Sequence, residues 1–179
     1  METEIYYSLM YDSLKRSESP EDQRIVRELH EDYKGLIWRF NKIKNNSHVP
    51  PLNSLSYFKE LLASRKILED NEKGFPRLSC AMASRVVKEV TGLEQVAGIC
   101  RYDLYFTHAW NIDLENGLFL CISMDQYREC DDSITILPAK TDILTIQEIP
   151  TIDHWLWNPS YDRKGTKYVR EIKLISEGK

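Results

Sequence analysis

Three residues whose side chains could act together as a cysteine catalytic centre occur in the order Cys80, His108, Asp125. Cys80 opens a predicted helix, Cys80 to Val90, that follows a loop. Unpaired N–H groups and the helix dipole at such a position favour the thiolate, the nucleophilic form of cysteine. The same N–H groups could hold a developing oxyanion. The alternative is that Cys80 is an unreactive buried residue, as free cysteines commonly are.

The hairpin that follows relates His108 to Asp125. Tyr105–Asp113 is a predicted strand, and Asn116-Gly117 favours a two-residue turn before a second strand. In that register the numbers of paired residues add up to 233, which places Asp125 opposite His108, with Cβ atoms roughly 4.5–5.5 Å apart. A slip of one residue would instead place Met124 there. An ordinary cross-strand ion pair is the alternative interpretation.

An acid beside an imidazole is what a cysteine hydrolase requires. The acid orients the ring and stabilises the imidazolium that forms with the thiolate. The sequence therefore predicts Cys80 as nucleophile, His108 as base and Asp125 as the orienting acid, with the pKa of the Cys80 thiol below its ordinary value of about 8.5.

Helices are predicted mainly in the first half of the chain. Ser19-Pro20-Glu21-Asp22 is a helix start, and apolar residues then recur at three- and four-residue steps as far as Lys44. A second helix is predicted from Ser54 to Asp70, and Gly92 closes the helix that Cys80 opens. We expect a helical region over residues 1–70 and a catalytic core over residues 71–179, within one compact domain.

Strands are predicted after Gly92. β-Branched and aromatic residues are frequent from there onward. The predicted strands are 94–100, 102–114, 118–124, 134–137, 142–149 and, more weakly, 168–175. Helices followed by an antiparallel sheet indicate an α+β fold.

The segment from Phe75 to Tyr127 resembles the papain-like cysteine hydrolases, most closely their transglutaminase-like and small bacterial peptidase branches. The resemblance rests on Cys80 at a helix start, on His108-Ala-Trp110 and on Ile122-Ser-Met-Asp-Gln-Tyr127. It implies a papain-like fold in which the cysteine helix packs on an antiparallel sheet. It also implies that cysteine, histidine and an acid or amide on the next strand act as nucleophile, base and orienting group.

The sequence departs from the pattern of this superfamily at two positions. Related bacterial sequences often carry an aspartate in the second strand near the position of Cys121, whereas the predicted register sets Cys121 opposite Ile112 and assigns the acid to Asp125. The papain-type glutamine that helps form the oxyanion hole has no counterpart, because Gly74 stands six residues before Cys80. Asn71, Ser79 or a backbone N–H is expected to substitute for it.

Composition argues against several other classes of function. The net charge of -4 gives no reason to expect binding to nucleic acid or to an anionic membrane. The N-terminus has no basic region followed by an apolar run, so we expect no signal peptide and a cytoplasmic protein, with non-classical export as an alternative. No cofactor is expected, and a zinc site from Cys100, His108, Cys121 and Cys130 is disfavoured because the spacings match no standard ligand pattern.

The expected function is a cysteine-dependent hydrolase or acyltransferase that acts on amide bonds of a protein or peptide substrate, through a thioester intermediate. Glutamine deamidation or transglutamination by the same machinery is one alternative. A catalytically inactive interaction protein that keeps the fold is another.

Overall fold

The computed structural model describes residues 18–43, 45–77, 79–146 and 159–178. Four α-helices lie in this part of the chain: α1 (Pro20–Ile43), α2 (Phe58–Asn71), α3 (Cys80–Thr91) and α4 (Pro159–Ser176). Its five strands are β1 (Glu94–Cys100), β2 (Asp103–Asp113), β3 (Leu118–Cys121), β4 (Thr135–Pro138) and β5 (Leu144–Ile146). Two 3-10 turns, Leu52–Ser54 and Met124–Gln126, complete the regular structure. Helix and antiparallel sheet together make the fold α+β.

The five strands form one sheet in the order β4-β3-β2-β1-β5, with antiparallel pairing throughout. Gly98 allows β5 to lie against β1, because a Cβ atom at this position would come within 2.0 Å of the Thr145 carbonyl oxygen. The closely packed backbones explain why a glycine interrupts a strand otherwise rich in apolar residues.

Each face of the sheet carries its own apolar core, as alternation along the strands requires. On one face Ala97, Ala109 and Leu120 pack with residues of α2, α3 and α4. On the other face Val96, Trp110 and Phe119 pack with Leu36 of α1. Helices therefore cover both faces of the sheet.

The helical predictions are confirmed for α1 and α3, and α3 ends where Gly92 adopts a left-handed φ of 77°. The second helix begins four residues later than predicted, because Leu52–Ser54 forms a 3-10 turn first. The predicted strand 168–175 is wrong, since this segment belongs to α4. Tyr168 and Ile172, one helical turn apart, are buried against α2 and α3, so packing at helical spacing prevails over local β-propensity.

The predicted strand 118–124 ends at Cys121, and Met124 belongs to a 3-10 turn. The part of the predicted strand 142–149 beyond Ile146 lies outside the described residues. None of the helices in the described ranges has the length and apolar character that crossing a membrane requires.

Candidate active site

Cys80 is the first residue of α3, as the sequence predicts. Its N-cap, Ser79, makes no side-chain hydrogen bond to the helix start. The thiol is almost fully buried, and burial raises its pKa to about 11. Backbone hydrogen bonds from Ala109, from Ala81 and from Cys80 itself act in the opposite direction but do not offset the burial. The predicted lowering of the pKa is therefore wrong for the protein without substrate.

His108 lies on β2 and is completely buried. Its Nε2 is 3.2 Å from Cys121 Sγ, and its Nδ1 is 3.3 Å from the Tyr127 hydroxyl oxygen. The ring stacks on Trp110, with the ring centres 5.9 Å apart. Burial lowers the pKa of His108 to about 3, so the imidazole is neutral at pH 7.

The predicted register between β2 and β3 is wrong by two residues. Asp113 pairs with Leu118 and Asn111 with Leu120, so the numbers of paired residues add up to 231 rather than 233. The loop between the strands has four residues, because Asp113 Oδ1 accepts hydrogen bonds from the backbone N–H groups of Glu115 and Asn116, at 3.0 and 2.9 Å. A capping aspartate three residues before Asn116 thus widens the turn.

This register brings Cys121, rather than Asp125, next to His108. Continued by one residue past the last ladder pair, it places Cys121 opposite Trp110, and His108 is the diagonal neighbour on the same face of the sheet. His108 therefore faces a thiol rather than a carboxylate.

Asp125 lies in the 3-10 turn Met124–Gln126 and binds Arg65 of α2. The two carboxylate oxygens accept hydrogen bonds from Nη1 and Nη2 of the guanidinium, each at 2.7 Å. Nη1 also donates to the Ile122 carbonyl oxygen at 2.7 Å, and Nε to Glu69 at 2.5 Å. Among the described contacts Asp125 makes none with His108.

Cys80 and His108 pack on different faces of the sheet, because Cys80 belongs to the core that contains Ala109, and His108 stacks on Trp110 in the other core. The ladder between β2 and β3 ends before Ala109, and the Ala109 backbone lies close enough to the Cys80 thiol to favour its ionised form. Ala109 directly follows His108 on β2. No hydrogen bond between Cys80 and His108 occurs in the described ranges.

Burial raises the pKa of the Cys121 thiol to about 12, with smaller contributions from the nearby thiols of Cys80 and Cys100. Within the part of the chain that the structure describes, no group of three or more histidine, cysteine or carboxylate side chains is arranged to hold a metal ion.

The sequence reasoning missed Cys121 and Tyr127 as the partners of His108, and Arg65 as the partner of Asp125. The Asp113-x-x-Asn116-Gly117 spacing was the signal for the wider turn, and it would have shifted Cys121 toward His108. No local pattern marks Arg65, which is 60 residues from Asp125 in the chain.

Comparison of the chain with family models, with curated proteins and with solved structures yields no match.

Proposed function

We propose that the protein is a cysteine-dependent hydrolase or acyltransferase that acts on amide bonds, with Cys80 as the nucleophile and His108 as the base. The observation that carries the proposal is the position of the Cys80 thiol. It opens α3 and lies close to the backbone of Ala109, the residue that follows His108 on β2. A thiol at a helix start and an imidazole on the adjoining strand are the components of a cysteine hydrolase.

The proposed reaction begins with an uncharged Cys80 thiol and an uncharged His108 imidazole. In the protein without substrate the proton stays on sulfur, because burial raises the pKa of Cys80 and lowers that of His108. Because Cys80 and His108 pack on different faces of the sheet, proton transfer requires that the imidazole leave Cys121 and turn past the end of the β2–β3 ladder toward Cys80 as substrate binds. The thiolate then attacks the carbonyl carbon of the amide, and the C–N bond breaks as His108 returns the proton to the leaving amine.

The acyl group remains on Cys80 as a thioester. Water resolves it by hydrolysis, whereas an amine resolves it by acyl transfer. The N–H groups of the uncapped first turn of α3 are suited to bind the oxyanion in both steps, because no side chain of Ser79 occupies them. Peptide hydrolysis, glutamine deamidation and transglutamination differ only in which amide enters and which nucleophile follows.

A second candidate function is an interaction protein without activity. It is favoured by the Arg65–Asp125 pair, which occupies the acid predicted for catalysis, and by the contact of His108 with Cys121 rather than with Cys80. On this alternative the thiols and the imidazole serve only as core residues.

An assay for reaction products distinguishes the proposed hydrolase or acyltransferase from an inactive interaction protein. The protein is incubated with glutamine-containing peptides, with and without a primary amine, and mass spectrometry reads backbone cleavage, side-chain deamidation and amine incorporation. The proposal expects one of these products from the natural protein and from a Cys130→Ser control, and none from Cys80→Ser. Product formation that persists in Cys80→Ser contradicts the role of Cys80 as nucleophile, and absence of products throughout favours the alternative.

A further inference from the structure

The segment from Ile122 to Tyr127, which leaves the end of β3, is held by one buried arginine. Arg65 binds the Ile122 carbonyl oxygen at one end of the segment and both carboxylate oxygens of Asp125 in its middle. Only 8% of Arg65 is exposed, and its guanidinium also lies over the ring of Phe75 at 4.7 Å. A bidentate pair with these further contacts fixes both the position and the angle of the segment.

Tyr127 is the last residue of this segment and reaches His108 from it. Its backbone N–H closes the 3-10 turn on the Met124 carbonyl oxygen at 3.0 Å. From there its hydroxyl oxygen lies 3.3 Å from His108 Nδ1, and its ring meets the imidazole edge-on, with centres 5.5 Å apart. The position of the hydroxyl therefore depends on the turn that Asp125 and Arg65 hold.

The other imidazole nitrogen faces a thiol. Cys121 Sγ lies 3.2 Å from Nε2. A thiol is a weak donor and a weak acceptor, whereas the tyrosine hydroxyl can act in either sense. Cys121 Sγ also lies 3.4 Å from Ser123 Oγ, and with that hydroxyl donating to the sulfur the thiol proton is left for Nε2. The ring proton then lies on Nδ1, donated to the Tyr127 oxygen.

We propose that Tyr127 sets the tautomer of His108, and that Asp125 acts through Arg65 as a positioning residue for Tyr127. Asp125 then acts on the imidazole only indirectly, because Tyr127 is the residue that orients the ring. The tautomer assignment stands on the contacts alone. Its value for catalysis rests on the proposed function, because a base must present an unprotonated nitrogen toward the thiols.

The test is ¹⁵N NMR of protein labelled at its histidines, of which there are four. The His108 signals are assigned by their loss in His108→Gln. The proposal expects a protonated Nδ1 and an unprotonated Nε2 in the natural protein near neutral pH. Tyr127→Phe removes the acceptor, so the expected result is loss of this single tautomer, seen as a shift of both ring signals toward a mixture.

Asp125→Asn is expected to shift the same signals in the same direction, because the 3-10 turn loses its tie to Arg65. Asp142→Asn is the matched control, since Asp142 pairs with the exposed Arg101 and makes no contact with residues 122–127 among those described. If Asp125→Asn does not fold, Tyr127→Phe alone decides the tautomer claim. A proton on Nε2 in the natural protein, or an unchanged spectrum in Tyr127→Phe, overturns the proposal.

An unchanged His108 spectrum in a folded but destabilised Asp125→Asn would overturn the positioning role, since Asp125 would then be only structural. These readouts need no substrate. Failure of the proposed function appears instead as the absence of products while the His108 tautomer remains as expected. Products together with the opposite tautomer would overturn this inference and leave the function standing.

Discussion

Cys121 and His108 are in contact across two neighbouring strands, with 3.2 Å between the thiol sulfur and Nε2 of the imidazole. A thiol in this position leaves the ring neutral, since no negative charge offsets the cost of burying an imidazolium. Cys121 thereby determines how easily His108 accepts a proton.

Replacement of Cys121 by Asp is expected to raise the pKa of His108 by about 2, because a carboxylate within about 4 Å of an imidazole favours its charged form. NMR titration of the His108 ring measures the change. Cys121→Asn is the matched control, since the asparagine side chain is uncharged but has nearly the same shape as aspartate. An equal pKa in the two variants would contradict the electrostatic role assigned to position 121.

The buried neutral imidazole predicts a loss of stability in acid. The pKa of His108 is about 3 in the folded protein against 6.5 for an unperturbed histidine, so the unfolded chain binds a proton that the folded protein excludes. The contribution of neutral His108 to the free energy of unfolding is fully present above pH 6.5. It is lost as the pH falls from 6.5 toward 3, at up to about 1.4 kcal/mol per pH unit.

Urea denaturation of the natural protein and of His108→Gln across this pH range measures that contribution. The variant is expected to lose part of the slope of unfolding free energy against pH below 6.5. His48→Gln, at an exposed histidine, should keep the natural slope. Identical slopes in the natural protein and His108→Gln would show that His108 is not buried in the neutral form.

Gly98 is expected to be essential for the attachment of β5. A Cβ atom there would overlap the Thr145 carbonyl oxygen, so Gly98→Ala should lower the free energy of unfolding by about 2 kcal/mol. The matched control is Gly35→Ala in α1, where nothing lies within 4 Å of the added atom and a gain of about 0.5–1 kcal/mol is expected. Equal effects at both positions, measured by urea denaturation, would contradict the pairing of β1 with β5.

The four thiols should differ in their reaction with iodoacetamide in the absence of substrate. Cys80, Cys100 and Cys121 are buried, whereas Cys130 is partly exposed. With a pKa of about 11, only about one Cys80 thiol in a thousand is ionised at pH 8. Peptide mapping after a short exposure should therefore find the label at Cys130. Faster labelling of Cys80 at slightly acidic pH would reveal a thiolate–imidazolium pair already present in the resting protein.

How far the sequence predicts this molecule depends on the range of the interactions involved. Capping and periodicity place α1 and α3 correctly, because these signals act within a few residues. The register of the β2–β3 hairpin was mispredicted because Asp113 widens the turn. That error placed Asp125 beside His108, where the structure has Cys121. The Arg65–Asp125 pair joins segments distant in sequence, so no local pattern could indicate it.

The central claim is that Cys80 is a nucleophile served by His108, and acylation tests it most directly. The protein is treated with p-nitrophenyl acetate, nitrophenolate release is followed, and mass spectrometry locates the acetyl group. The account predicts a burst with acetylation at Cys80, retained in Cys130→Ser and slowed at least about 100-fold in His108→Gln, the usual minimum loss of a general base. An unmodified Cys80 in the natural protein, or an equal rate of acetylation in His108→Gln, would contradict it.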